Sequence, residues 1–106
     1  MPFHSPADLP QKEPMPGFVG RFTTGATMTA VTWAIASDAK LPEHAHPHEQ
    51  VSHVLEGEFE MTIDGETRRL GPGMVAFVPP NMPHSGQALT DCRIIDVFHP
   101  ARDDYR

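Results

Sequence analysis

Glu58-Phe59-Glu60-Met61-Thr62-Ile63-Asp64-Gly65-Glu66-Thr67-Arg68-Arg69-Leu70 is the stretch on which the fold turns. Phe59, Met61 and Ile63 alternate with Glu60 and Thr62, the period-two pattern of a strand with one dry and one wet face. Asp64-Gly65 then interrupts the alternation. An Asp-Gly pair between alternating runs predicts a hairpin, because a type I′ turn requires positive φ at both central positions. Glu66 to Leu70 is the expected return strand.

The same grammar extends outward. Upstream, Gln50 to Glu56 reads as a strand. Thr27 to Ala36 reads as another, with Val31, Trp33 and Ile35 on one face and a content of β-branched residues that suits a pleated surface. Downstream, Gly71-Pro72-Gly73 marks a turn, Met74 to Val78 a strand, and Pro79-Pro80-Asn81 a stop. Met82 to Gln87 and Cys92 to Phe98 complete the set. No amphipathic helix of useful length is visible, and twelve prolines in 106 residues argue against one. The expectation is a single all-β domain, an antiparallel sandwich or small barrel. Residues 1–16 hold five prolines and are expected to form an extended arm, leaving residues 17–106 as the barrel.

Composition narrows the function classes. Cys92 is the single cysteine, which excludes an intramolecular disulfide and a cysteine-built zinc cage. No apolar run approaches the ~20 residues of a membrane span, and no basic-then-apolar leader is visible, so a cytoplasmic protein with no membrane partner is expected. The net charge is −6 and the basic residues are scattered, so no nucleic-acid partner is expected. Histidine is in excess: seven, of which four lie between His44 and His53.

The segment Leu41-Pro42-Glu43-His44-Ala45-His46-Pro47-His48-Glu49-Gln50 holds that excess. In a strand, His44 and His46 share a face, and two imidazoles at that spacing can share one ion. Alone, such a pair in a proline-rich loop reads more readily as surface histidines than as ligands. A third ligand must come from elsewhere. Gln50 has the parity of His44 and His46, and His84 comes just after the turn prolines of a distant strand. Glu49 faces away from Gln50 in a strand, and His48 and His53 read as non-ligands.

The histidine pair opens a longer pattern. His44-x-His46-x3-Gln50-x6-Gly57 resembles the first motif of the cupin superfamily, and Gly73-x5-Pro79-x-Asn81-x2-His84 resembles the second. The 15 residues between Gly57 and Gly73 match the short spacing of small single-domain cupins. The resemblance implies a double-stranded β-helix, or jelly-roll barrel, and one divalent metal ion on His44, His46, Gln50 and His84. Ni, Zn, Fe, Mn and Cu are not distinguished by such a ligand set. Three departures stand out. Asp38, Asn81 and Ala88 occupy positions where the motifs carry glycine, glycine and asparagine. Gln50 also replaces the usual glutamate. A neutral amide there leaves both charges of the ion uncompensated, which favours anionic substrates and weakens metal retention. Affinity is expected to fall below about pH 6.5 as the imidazoles protonate.

The tail adds a second pattern. Asp96 lies inside the apolar run Ile94-Ile95-Asp96-Val97-Phe98, where an aspartate is either paired or functional. The plain reading is a closing Asp96–Arg102 salt bridge. Asp96-x-Phe98-x-Pro100-x-Arg102-Asp103-Asp104, however, is similar to the tail of the pectin-degradation cupins. That resemblance implies chemistry on 4,5-unsaturated uronates, helping to convert the cyclic sugar to its linear ketone. In this reading Asp96 is an acid or base, Arg102 grips the substrate carboxylate, and Phe98 forms the wall against the ring. A homodimer is implied too, with the proline-rich arm as a candidate exchanged element. Two rival readings stand beside it: an Fe(II)-dependent dioxygenase, and a non-enzymatic module that binds a metal or a small acid.

Overall fold

The structure is a computed structural model that describes residues 2–106; Met1, the first residue of the expected arm, lies outside the described residues. Ten strands form two sheets in which every pairing is antiparallel. They are β1 (Gln11–Met15), β2 (Phe18–Thr24), β3 (Thr29–Ile35), β4 (Lys40–His44), β5 (Glu49–Glu56), β6 (Phe59–Ile63), β7 (Glu66–Leu70), β8 (Val75–Val78), β9 (His84–Ala88) and β10 (Cys92–His99). One sheet runs β1-β2-β3-β10-β5-β8 and the other β4-β9-β6-β7. Short 3-10 turns at Pro6–Asp8 and Asp103–Tyr105 are the helical elements among the described residues.

Alternation builds the core. Val31, Trp33 and Ile35 of β3 and Ile94, Asp96 and Phe98 of β10 all point inward, as does every second residue of β5 from Gln50 to Val54. From the smaller sheet Phe59, Met61 and Leu70 meet them. The decisive hairpin forms as expected. Phe59 pairs with Leu70 and Ile63 with Glu66, and Asp64 and Gly65 take φ of 50° and 78°. Asp38 and Asn81, which replace motif glycines, adopt φ of 71° and 64°, in the left-handed region that Asp and Asn tolerate better than most residues.

Part of the expected extended arm is a strand. Gln11–Met15 is the edge strand of the larger sheet, hydrogen-bonded to β2 of the same chain. Pro14 is accommodated because an edge strand need not donate on its open side, and because the pairing is irregular between Lys12 and Met15. The β1–β2 hairpin therefore straddles the boundary expected at Gly17. Among the described residues no helix is long and apolar enough to cross a membrane.

Candidate metal centre

The smaller sheet and one loop bring three histidines together. His44 ends β4 and pairs directly with His84, the first residue of β9. His46 does not continue the strand, as the alternation expectation supposed. It sits in the connection to β5, and its ring lies 5.5 Å from that of His44 and 4.8 Å from that of His84. One nitrogen from each of the three falls within 4.8 Å of the others.

The backbone fixes which nitrogens these are. The Nδ1 atoms of His44, His46 and His84 lie 2.9, 3.0 and 2.8 Å from the carbonyl oxygens of Pro42, His48 and Met82. A carbonyl only accepts, so each Nδ1 carries a proton, and Nε2 is the nitrogen free to bind a cation when the ring is neutral. Burial lowers the pKa of His46, and it brings that of His84 down to about 4, so both are held neutral near pH 7.

Two observations show that this set fits a cation. The Nε2 of His84 is buried with no hydrogen-bond partner. The Nε2 of His46 lies 3.1 Å from Oε1 of Gln50, which sets two acceptors side by side. Such a pair repels unless a positive charge lies against both. The three imidazoles can thus hold a metal ion, with the Gln50 amide oxygen beside them. Gln50 is 4% exposed and faces inward, whereas Glu49 is on the outer side of β5. His53 also faces outward, and His48 contributes a carbonyl rather than a ring nitrogen.

The larger sheet supplies the rest of the site. Register places Gln50 opposite Phe98 and Ser52 opposite Asp96. Asp96 accepts hydrogen bonds from Trp33 Nε1 at 2.9 Å and from Ser52 Oγ at 2.6 Å. Burial pushes its carboxyl up to about 6, against the pull of those two donors. The Asp96–Arg102 salt bridge of the plain reading is not formed. Arg102 instead clasps Asp104 with Nε at 2.9 Å and Nη2 at 2.7 Å, so the fork expected to grip a substrate is filled by the chain itself. Its guanidinium lies over the rings of Phe98, at 4.8 Å, and Tyr105, at 4.3 Å. His44, Gln50, His84, Asp96, Phe98 and Arg102 line one cavity of about 370 Å³. That volume is within the usual range for small-molecule sites.

Ser52, Trp33, Asp104 and Tyr105 were not singled out as site residues in the sequence. Ser52 was within reach, since it lies two residues beyond Gln50 on the same strand face. Tyr105 was not, because its place depends on how the tail folds back.

A jelly-roll barrel with convergent imidazoles at one end defines a cupin. The chain belongs to that family: the Cupin domain model matches residues 31–98. Among solved structures, it is similar to an RmlC-like cupin from Shewanella frigidimarina, with a TM-score of 0.94 and 32% identity over 100% of this chain and 96% of that one. It is also similar to KdgF from Halomonas sp., with a TM-score of 0.90 and 31% identity over 98% of this chain and 97% of that one. Among sequences, it is 36% identical to the pectin degradation protein KdgF of Dickeya dadantii over 64 residues, 58% of each chain. Within the family the chain thus stands near the pectin-degradation cupins. It spans 22% to 58% of the lengths of the curated relatives it matches.

Proposed function

We propose that this chain is a metal-dependent enzyme acting on a small sugar acid, and within that class on a 4,5-unsaturated uronate whose ring it helps to open. The observation that carries the reading is the meeting, in one cavity, of the imidazoles of His44 and His84 and a buried carboxyl group whose proton is loosely held near neutral pH. The similarity to the pectin degradation proteins points to the substrate class. A divalent ion on His44, His46, Gln50 and His84 would supply Lewis acidity toward an oxygen of an anionic ligand.

The remaining steps fall to the chain's own residues. Asp96 takes the proton of the anomeric hydroxyl; its two oxygens already accept one hydrogen bond each, and a carboxylate has capacity for more. As C1 becomes a carbonyl, its bond to the ring oxygen breaks. That oxygen leaves as an enolate conjugated with the 4,5 double bond. Asp96 returns its proton to C4, which leaves a ketone at C5. Phe98 walls the ring, and Arg102 supplies positive charge at the mouth, shared with Asp104 until an anionic ligand enters.

The test uses metal-loaded protein and a 4,5-unsaturated uronate, following loss of its conjugated ultraviolet absorbance. Accelerated loss, abolished by a chelator and restored by metal, is expected. A rate equal to that of buffer would overturn the reading. Tight uronate binding without turnover would favour a binding module, and oxygen uptake would favour a dioxygenase.

We also propose a second copy of the chain as a partner. In the single chain β1 pairs with β2. The support lies on the outer face of β5 and β8, where Val51, Val75 and Phe77 are exposed.

A further inference from the structure

Gln50 poses a problem that a glutamate at the same position would not. A carboxylate offers oxygen at either end, but an amide has an oxygen at one end and a non-ligating NH2 at the other. Something must decide which end faces the imidazoles. We propose that Ser52 decides it, as a positioning residue that locks the Gln50 amide with its oxygen toward the histidines.

Hydrogen-bond donation converges from both sides on Asp96 in a buried chain of side chains. Trp33 Nε1 can only donate, and it donates to Asp96. The Asp96 carboxylate only accepts, and it takes the single proton of Ser52 through a 2.6 Å bond. The Ser52 oxygen has then spent its proton and can only accept. Gln50 lies 2.9 Å away and must turn its NH2 toward that oxygen. Its Oε1 is thereby aimed at His46 Nε2, 3.1 Å away. Every member is buried, at 9% exposure or less, so bulk water does not compete for these bonds. The direction of donation on the Gln50 side is set by the acceptor-only carboxylate of Asp96, and Ser52 is the link that passes it to the amide. The orientation belongs to the metal-free protein. Its consequence for metal binding rests on the reading of Gln50 as a ligand.

The experiment separates the two. The full chain has glutamine at 11, 50 and 87 and asparagine at 81, so a nitrogen-15 spectrum contains four side-chain amide pairs, and Gln50→Ala identifies the pair of interest. In metal-free wild type the Gln50 pair is expected to be displaced from exposed values and slow to exchange with water. In Ser52→Ala it should shift toward the exposed values and exchange at least tenfold faster, with the backbone spectrum retained. Ser52→Thr, which keeps the hydroxyl, should restore it. Ser52→Cys, nearly isosteric and a poor hydrogen-bonding partner, serves in place of the alanine variant should that one fail to fold. Zinc titration by calorimetry gives the second readout. Loss of an orienting partner typically costs 10- to 100-fold in metal affinity, and about that loss is expected in Ser52→Ala. If the Gln50 signals do not move, the proposal is wrong, whatever the zinc affinity. If they move while zinc binding is absent or unchanged, the orientation stands and the ligand reading of Gln50 falls.

Discussion

Asp96 and His84 are buried titratable groups whose shifts run in opposite directions. For Asp96, desolvation outweighs the donors Ser52 and Trp33, and the carboxyl rises to about 6. A base that must be charged to act then switches on through that value, so kcat/KM on a uronate is expected to climb with pH through about 6 and level off above it. Asp96→Asn should remove that limb and lower the rate by roughly 10²- to 10⁴-fold, the usual worth of a general base. A variant as fast as wild type would exclude Asp96 from catalysis. For His84, burial depresses the pKa from 6.5 to about 4. Between those values the unfolded chain binds a proton that the folded chain refuses, so stability falls as pH drops through that window. The limiting slope is about 1.4 kcal/mol per pH unit for one such group. Asp96 acts with the opposite sign: its raised pKa adds stability as pH falls from about 6 toward 3.8. Comparing wild type with His84→Gln by urea unfolding, with chelator, at several pH values isolates the histidine. The variant should show a shallower loss on acidification; parallel curves would refute the assignment. At this scale the coming together of His44, His46, Gln50 and His84 was legible in the sequence, because their spacing follows a motif. It was silent on Arg102 clasping Asp104, because that contact depends on the path of a non-repetitive tail.

Turns carry most of the fold's local information. Asp38, Gly57, Gly73 and Asn81, the four glycine positions of the paired motifs, all have positive φ. At Gly57, between β5 and β6, the need is double. Its φ is +85°, and a Cβ there would collide with the Asp91 carbonyl and crowd Cys92 and Thr90. Gly65, in the β6–β7 turn, has φ of +78° but open space around it. Gly65→Ala should therefore cost only the left-handed penalty, about 1–2 kcal/mol, while Gly57→Ala should cost distinctly more. Unfolding midpoints of the two variants test the ranking, and equal losses would mean that the loop before β10 yields easily. The same logic explains which strands were readable. β3, β6 and β10 alternate cleanly over five residues or more and are bounded by turn signals. β1 and β4 contain Pro14 and Pro42 and lie at sheet edges, where pairing on one side suffices and the sequence pattern is weak. β2 carries Gly20 and Arg21 within its run, so its local signal is diluted although its partners on both sides are firm.

Molecular shape adds a constraint that no single strand reveals. β8 is an edge strand, and Met74-Val75-Ala76-Phe77-Val78 contains no charge. Natural edges are usually blunted by lysine, proline or a bulge, and none of these interrupts the strand. Phe77 pairs with Val51 on β5, and Val75 with His53, so the apolar side chains form a continuous outer patch. In a chain of net charge −6, an uncharged edge strand is where two copies meet with least repulsion. The sequence showed the apolar run of β8 but not its edge position, which is set by long-range pairing. A homodimer through this face predicts a two-chain mass in sedimentation equilibrium at micromolar concentration. Phe77→Glu should convert it to one chain, because pairing two copies would bring two buried carboxylates together without partners. The side chain points away from the cavity, so turnover of a uronate by the monomer should persist. A wild type that sediments as a single chain, or a variant that stays paired, would move the interface elsewhere or remove it. Loss of turnover together with the partner would instead mean that the second copy is needed to hold β5, and with it Gln50 and Ser52, in register.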